Sequence, residues 1–390
     1  MPQLRLLEVH GNPYEMGWQH GTAYRDAIRE IAAERLQLAS EPDWAGVHTP
    51  KEELLALAEE CLDYHQAYSP ELMWELQGLS AATGVSLAEL LIMNGFTDFV
   101  DAVYNAPGVM NLPLTMELPQ GQEVPVQVPV HVHKAAQAVR GHGNECTTFM
   151  VDGRRTLDGA GLIGQTWDMH ETATPYVALL RGRPDDGPRF LMMTLTGSMG
   201  MIGMNEHGIS VCINNLSAET GRPGVTWTFV VRKILMQDNL EDALACITSA
   251  TLAGGHNYQL MDAHGRGYNV EAMPQGCTVT PLTDAPLVHA NRCLDEAARR
   301  EERPLSEDWI EDSEAREQRA MLMLNHRSVT PETMMSLTRD RSDGSYSVCA
   351  FSEAPYFSET CGAVIMRPAT REMWGIWGLP CDGEYERHFV

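Results

Sequence analysis

Cys146 is the residue around which a reaction could be built. It stands in Asn144-Glu145-Cys146-Thr147-Thr148-Phe149, where a long connector gives way to a sheet-like run. Taken alone, such a cysteine reads as a small buried strand residue. It does not stand alone. Gly164-Gln165-Thr166-Trp167-Asp168 follows about twenty residues on, then Gly203-Met204-Asn205-Glu206-His207-Gly208-Ile209, Asn214-Asn215-Leu216, His256-Asn257 and His289-Ala290-Asn291. A thiol nucleophile needs a base, and acyl transfer needs donors aimed at an oxyanion. Carboxamides of these kinds can serve as the donors, and a free α-amine on the cysteine itself can serve as the base.

Two other patterns carry less. Gly159 to Gly164 matches the dinucleotide-binding glycine pattern, but a strand or loop follows instead of a helix, so it reads as a turn leading into a strand. His131, His133 and His142 precede Cys146 and offer zinc-type donors, at a spacing that matches no compact zinc module. They define the alternative reading: a catalytically silent or zinc-binding protein. The preferred reading requires neither metal nor cofactor.

The elements that must position these residues fall into three stretches. The first hundred residues read as helices, opened by Asn12-Pro13-Tyr14-Glu15, Thr49-Pro50, Ser69-Pro70-Glu71 and Ser86-Leu87-Ala88-Glu89. Residues 105–143 hold five prolines and four glycines, and read as an extended connector, neither helix nor sheet. After Cys146 the period shortens. Strands are expected at 147–151, 176–180, 189–195, 209–214, 258–261, 268–271, 347–351, 362–366 and 373–377. Helices are expected at 227–236, 240–248 and 307–325, with another capped by Thr330-Pro331-Glu332. Helices, strands, helices and strands again, without βαβ alternation, indicate an α+β fold with antiparallel sheets.

Composition narrows the function. With 28 basic and 53 acidic residues, the net charge is −25, which repels polyanions and argues against nucleic acid as a partner. The longest run without a charged side chain, Ala243–Met261, is too polar to span a bilayer. The N-terminus lacks an apolar signal-peptide core. Nine cysteines without a CxxC pair suit a reducing compartment. A soluble cytoplasmic protein with no membrane partner is therefore expected.

The ordered series from Cys146 to Asn291 resembles the acyl-coenzyme A:6-aminopenicillanate (isopenicillin N) acyltransferase family, a branch of the cysteine N-terminal-nucleophile hydrolases. Asn12 to Gly17, Gln19-His20-Gly21 and Ser347-Val348-Cys349 are similar to the family's opening helix and late strand. Two departures stand out: Glu145 where the penicillin enzyme's pattern has glycine, and Thr166 where asparagine is usual. The resemblance implies an αββα sandwich of two antiparallel sheets flanked by helices. It implies that the chain cuts itself between Glu145 and Cys146, so that 1–145 and 146–390 become small and large fragments that together form one domain. It further implies a self-processing amidase working through a thioester on a small-molecule amide, with acyl transfer to an amine as a second outcome. Asn257 is then the oxyanion donor and Asp168 the group that orients the new ammonium. Thr148, Glu271, Asn291 and the pair Ser313 and Arg316 become candidates for substrate or amine contacts. The reading leaves room for a homo-oligomer.

Overall fold

The structure, a computed structural model, describes residues 4–42, 48–105, 113–117, 123–127, 146–352 and 357–390. It opens with β1 (Arg5–Gly11), followed by α1 (Pro13–Ala23), α2 (Arg25–Ser40), α3 (Lys51–Tyr68), α4 (Pro70–Thr83), α5 (Leu87–Asn94) and α6 (Phe96–Asn105). The capping boxes expected at Asn12 and Ser86 both form. Asn12 Oδ1 accepts from the Glu15 N–H at 3.0 Å, and Glu15 returns the bond. Pro50, not Thr49, caps α3. Helices α1 and α4 cross so closely that a Cβ on Gly17 would lie 1.9 Å from the Glu75 carbonyl oxygen, and one on Gly78 would lie 2.1 Å from that of Tyr14. Only glycine fits at this crossing.

Two short strands, β2 (Pro113–Glu117) and β3 (Glu123–Gln127), pair antiparallel inside what was expected to be a connector without sheet. A two-stranded ribbon is all edge, and proline is tolerated where no ladder donor is needed.

The rest of the chain supplies most of the sandwich: β4 (Cys146–Val151), β5 (Leu162–His170), β6 (Val177–Pro184), β7 (Phe190–Leu195), β8 (Ile202–Asn205), β9 (Ser210–Leu216), α7 (Trp227–Ile234), α8 (Leu240–Thr248), β10 (Gly255–Met261), β11 (Gly267–Met273), β12 (Gly276–Pro281), β13 (Leu287–His289), α9 (Glu296–Arg299), α10 (Glu307–Leu324), α11 (Pro331–Thr338), β14 (Ser358–Arg367), β15 (Glu372–Trp377) and β16 (Glu386–Phe389). One sheet has the order β1-β6-β7-β8-β9-β10-β11-β12 and the other β13-β4-β5-β14-β15-β16. All pairings are antiparallel except β1 with β6, which runs parallel over seven residue pairs. The sheets face one another: Gln165 Oε1 of β5 accepts from the Ile213 N–H of β9 at 2.7 Å.

Alternation along β4 then decides what each residue meets. Cys146, Thr148 and Met150 face the opposing sheet, while Phe149 and Val151 join Ala320, Leu324, Met334 and Leu337 of α10 and α11 in a separate apolar cluster. Helices thus cover the outer face of the β4 sheet. On the other side, Asn205 of β8 donates to carbonyls at the end of α7. The architecture is the expected αββα sandwich. The strand expected at 347–351 is irregular instead, because Cys349 and Ala350 bond to Asp340 and Thr360 at single points and not along a ladder.

Among the described residues no single helix is long and apolar enough to cross a membrane. Helices α4 and α5 reach that length and composition only together, and they bend by 112° at their junction.

Candidate active site

Cys146 is the first residue of β4 and is buried, 3% exposed. Its backbone is held from both sides by side chains. The N–H donates to Asn291 Oδ1 at 2.7 Å. The carbonyl accepts from Asn214 Nδ2 at 2.9 Å and from Arg316 Nη1 at 2.9 Å. Those three residues come from the loop after β13, from β9 and from α10, so the tertiary fold fixes this one residue.

Arg316 acts as a fork. Its Nε and Nη2 bond Asp312 one turn earlier on α10, and both side chains are buried. With its charge balanced there, the guanidinium also reaches Thr147 Oγ1 at 3.1 Å and Asn291 Oδ1 at 3.3 Å. The planar five-donor geometry of arginine permits this; lysine could not span it. Ser313, on the same side of α10, is fully buried with its hydroxyl unpartnered.

The carboxamides form a chain of fixed direction. Asn214 Nδ2 is committed to a carbonyl, so its Oδ1 must accept, and it does so from Thr148 Oγ1 at 2.8 Å and from Asn257 Nδ2 at 3.0 Å. Asn257 lies directly across from Asn214 in the β9–β10 ladder. Its Oδ1 has no partner, and its amide nitrogen carries a second hydrogen. Asn214 is the site residue that sequence reasoning passed over. The Asn214-Asn215 doublet was visible, but strand alternation sends only one of the two toward Cys146.

Asp168 sits on β5, one residue beyond the partner of Cys146, and is fully buried. Burial pushes its carboxyl up from 3.8 to about 7. Thr360, its partner in β14, and Arg316 oppose that rise, and Asp312 adds to it. Neither carboxylate oxygen has a donor at strict hydrogen-bond geometry. The Cys146 thiol is driven far above its ordinary value by burial and then by the charge of Asp168, with the Asp168 N–H and Arg316 pulling the other way. In this state it is a protonated thiol.

Glu271 belongs to a neighbouring group. Its oxygens accept from His289 Nε2 at 2.8 Å and from the Leu294 and Asp295 N–H groups at 2.5 and 2.9 Å. Burial would raise its carboxyl, but these donors outweigh it and hold it below its ordinary value. Through His289, whose carbonyl accepts from Asn214 Nδ2 at 3.2 Å, Glu271 braces the site from behind. The structure thus brings together Cys146, Asp168, Thr148, Asn257, Asn291 and Arg316, with Asn214 among them. Glu145, His131, His133 and His142 lie outside the described residues. Among those described, no group of three or more His, Cys, Asp or Glu could hold a metal ion.

The sequence profile of the acyl-coenzyme A:6-aminopenicillanic acid acyl-transferase family matches residues 154–382, which include Asp168, Asn214, Asn257, Asn291 and Arg316 and begin just after Cys146. A protein of Archaeoglobus fulgidus is 24% identical over 67% of this chain and 42% of its own length. The 40 kDa form of the acyl-coenzyme A:6-aminopenicillanic-acid-acyltransferase of Emericella nidulans is 23% identical over 88% of this chain and 84% of its own. The chain therefore spans about two fifths of the first relative and most of the second. Among solved structures, a mutant of the conjugated bile acid hydrolase of Clostridium perfringens aligns with 63% of this chain and 97% of its own, at 10% identity and a TM-score of 0.43.

Proposed function

Because the chain belongs to the acyl-coenzyme A:6-aminopenicillanic acid acyl-transferase family, we propose that it is a self-processing cysteine amidase. Its substrate is a linear small-molecule amide. The acyl-enzyme passes to water, or to an amine where one is bound. The observation that carries this reading is the double anchoring of Cys146, with its N–H on Asn291 and its carbonyl on Asn214 and Arg316, beside a buried carboxylate whose oxygens have no well-aligned donor.

Processing comes first. Cys146 Sγ attacks the Glu145 carbonyl carbon, the peptide C–N bond breaks, and the thiol proton ends on the departing nitrogen. Water then hydrolyses the thioester, leaving a Glu145 carboxylate and a free thiol. Asp168, whose carboxyl burial raises to about 7, takes the thiol proton in the uncut chain.

After the cut, the nitrogen that now donates to Asn291 becomes an α-amine of reference pKa about 7.7–8.0. It is the base for turnover, carried by the same residue as the nucleophile. Sγ attacks the substrate carbonyl, the leaving amine departs with the proton, and water or a second amine resolves the thioester. Asn257 directs its spare N–H at the oxyanion. Asp168 balances the new ammonium charge, and Arg316 with Asn214 keeps the Cys146 carbonyl from turning.

Intact-mass measurement on freshly purified protein tests this. The expected fragments hold 145 and 245 residues, about 16 and 27 kDa by proportion of the 43.2 kDa chain. A single full-length species in an active preparation overturns self-processing.

A further inference from the structure

Behind Asp168 lies a pair of thiols that the proposed reaction does not use. Cys349 is fully buried, and Cys381 is half-buried at the surface. The two thiols lie close enough to act on one another: the Cys381 N–H favours the Cys349 thiolate and the Cys381 side chain opposes it, while the Cys381 sulfur donates to Asp382 Oδ1 at 3.4 Å. The loop that carries Cys381 is held in place. Arg339, at the end of α11, donates to the carbonyls of Pro380 at 2.9 Å and Gly383 at 3.0 Å. The Gly378 N–H donates to the Cys361 carbonyl at 2.9 Å. Arg341 Nη1 reaches the Cys381 sulfur at 3.7 Å. On the other side, the Cys349 N–H is fixed to the Asp340 carbonyl at 3.0 Å.

The dithiol is wired to the candidate site. Ala350, next to Cys349, makes two bonds with Thr360: its N–H donates to Thr360 Oγ1, and its carbonyl accepts from the Thr360 N–H, each at 3.0 Å. Thr360 is the ladder partner of Asp168 and offsets part of the cost of burying its carboxylate. A change in the path of the chain at Cys349 is therefore felt two contacts later at Asp168.

We propose that Cys349 and Cys381 form a reversible redox site, oxidised to a disulfide by a hydroperoxide, and that the disulfide lowers turnover by displacing Thr360 from Asp168. The less buried partner reacts first. The Cys381 sulfur attacks the terminal peroxide oxygen, the O–O bond breaks, and the hydroperoxide leaves as an alcohol, or as water from hydrogen peroxide. Cys381 becomes a sulfenic acid. The Cys349 sulfur then attacks that sulfur and the hydroxyl departs with the thiol proton as water. Two thiols are oxidised by two electrons and one peroxide is reduced. The bonded sulfurs must close to about 2 Å, and because Cys349 is anchored at Asp340, the strain passes into Ala350.

The formation of the disulfide is independent of the amidase reading; its effect on turnover rests on that reading. The test treats the full-length protein with hydrogen peroxide, alkylates the remaining thiols and maps peptides without reduction. The expected result is a peptide joining Cys349 to Cys381, with the loss of two hydrogens, that dithiothreitol reverses. Wild-type turnover should fall and then recover with dithiothreitol. Cys381→Ser should keep its basal turnover and show no reductant-recoverable loss, even while Cys146 is slowly damaged. A map without the Cys349–Cys381 peptide overturns the site. Equal recoverable loss in Cys381→Ser, or a disulfide that leaves turnover unchanged, overturns the coupling. Should the protein turn over no amide at all, the peptide map still decides the disulfide.

Discussion

Asp168 and Asp101 are both buried carboxylates, and their surroundings differ in one respect. Asp101, on α6, has well-aligned donors on both oxygens. Its Oδ1 pairs with the buried Arg303 at 2.5 Å, and its Oδ2 accepts from the Ala218 and Gly255 N–H groups at 3.1 Å each. Its neighbour Asp98 accepts from the Trp227 N–H at 3.1 Å. Asp168 sits equally deep with neither oxygen in a well-aligned bond. Burying a carboxylate without donors is costly. A fold that spends two backbone amides and an arginine on Asp101 spends none of them on Asp168. The saturated cluster holds elements together; the unsaturated one keeps capacity for groups that arrive during a reaction. Asn257 Oδ1 and Ser313 Oγ, also unpartnered, belong with the second kind.

The largest expected effect comes from removing the nucleophile. Cys146→Ala should abolish both the cut and turnover, giving one full-length band. Residual turnover would mean that the unsaturated region is not reactive. Asp101→Ala should do the reverse. It strands Arg303 and two amides in the interior, so stability should drop by about 3–5 kcal/mol, read by thermal denaturation, while turnover per folded molecule stays the same. Next is Asn257→Ala, expected to slow turnover by about 10²–10³-fold on losing one oxyanion donor, with little change in KM. Normal turnover would assign Asn257 to the packing of Asn214 alone.

The smallest effect sharpens the contrast by pH. Asp168 has a folded pKa of about 7 against an ordinary 3.8, so between those values the folded state binds more protons than the unfolded one. The contribution of Asp168 to stability must therefore fall as pH rises from about 4 to about 7 and then level off. Placing Asp168→Asn in the uncut Cys146→Ala protein should flatten that portion of the curve. Urea melts across this pH range would show it, and identical slopes in the two proteins would mean that Asp168 does not carry a raised carboxyl.

The sequence made some of this legible and hid the rest for physical reasons. Caps at Asn12 and Ser86 are local, and both were visible in short patterns. The order of motifs brought Cys146, Asp168, Asn257, Asn291 and Arg316 to notice. Asn214 stayed hidden because its role depends on which face of β9 meets β4, and that register is set by pairing between distant strands. Strand β1 was missed for the same reason. Its exposed, alternating residues look unremarkable until they pair with β6, more than 170 positions away. The strand expected at 347–351 failed in the opposite direction: its composition suits a sheet, but no neighbouring ladder is there to receive it.

The pairing of β1 with β6 changes the kind of molecule that a cut before Cys146 would leave. β1 and α6 lie upstream of that bond; β6, Arg303 and the amides that hold Asp101 lie downstream. Folding would begin as a unimolecular event and end as a heterodimer whose two chains share a sheet. Its unfolding midpoint would then shift with protein concentration, and refolding from denaturant would become second order. The precursor would fold once with the help of a tether that the mature protein no longer has, so a molecule that loses its small fragment would have no intramolecular route back.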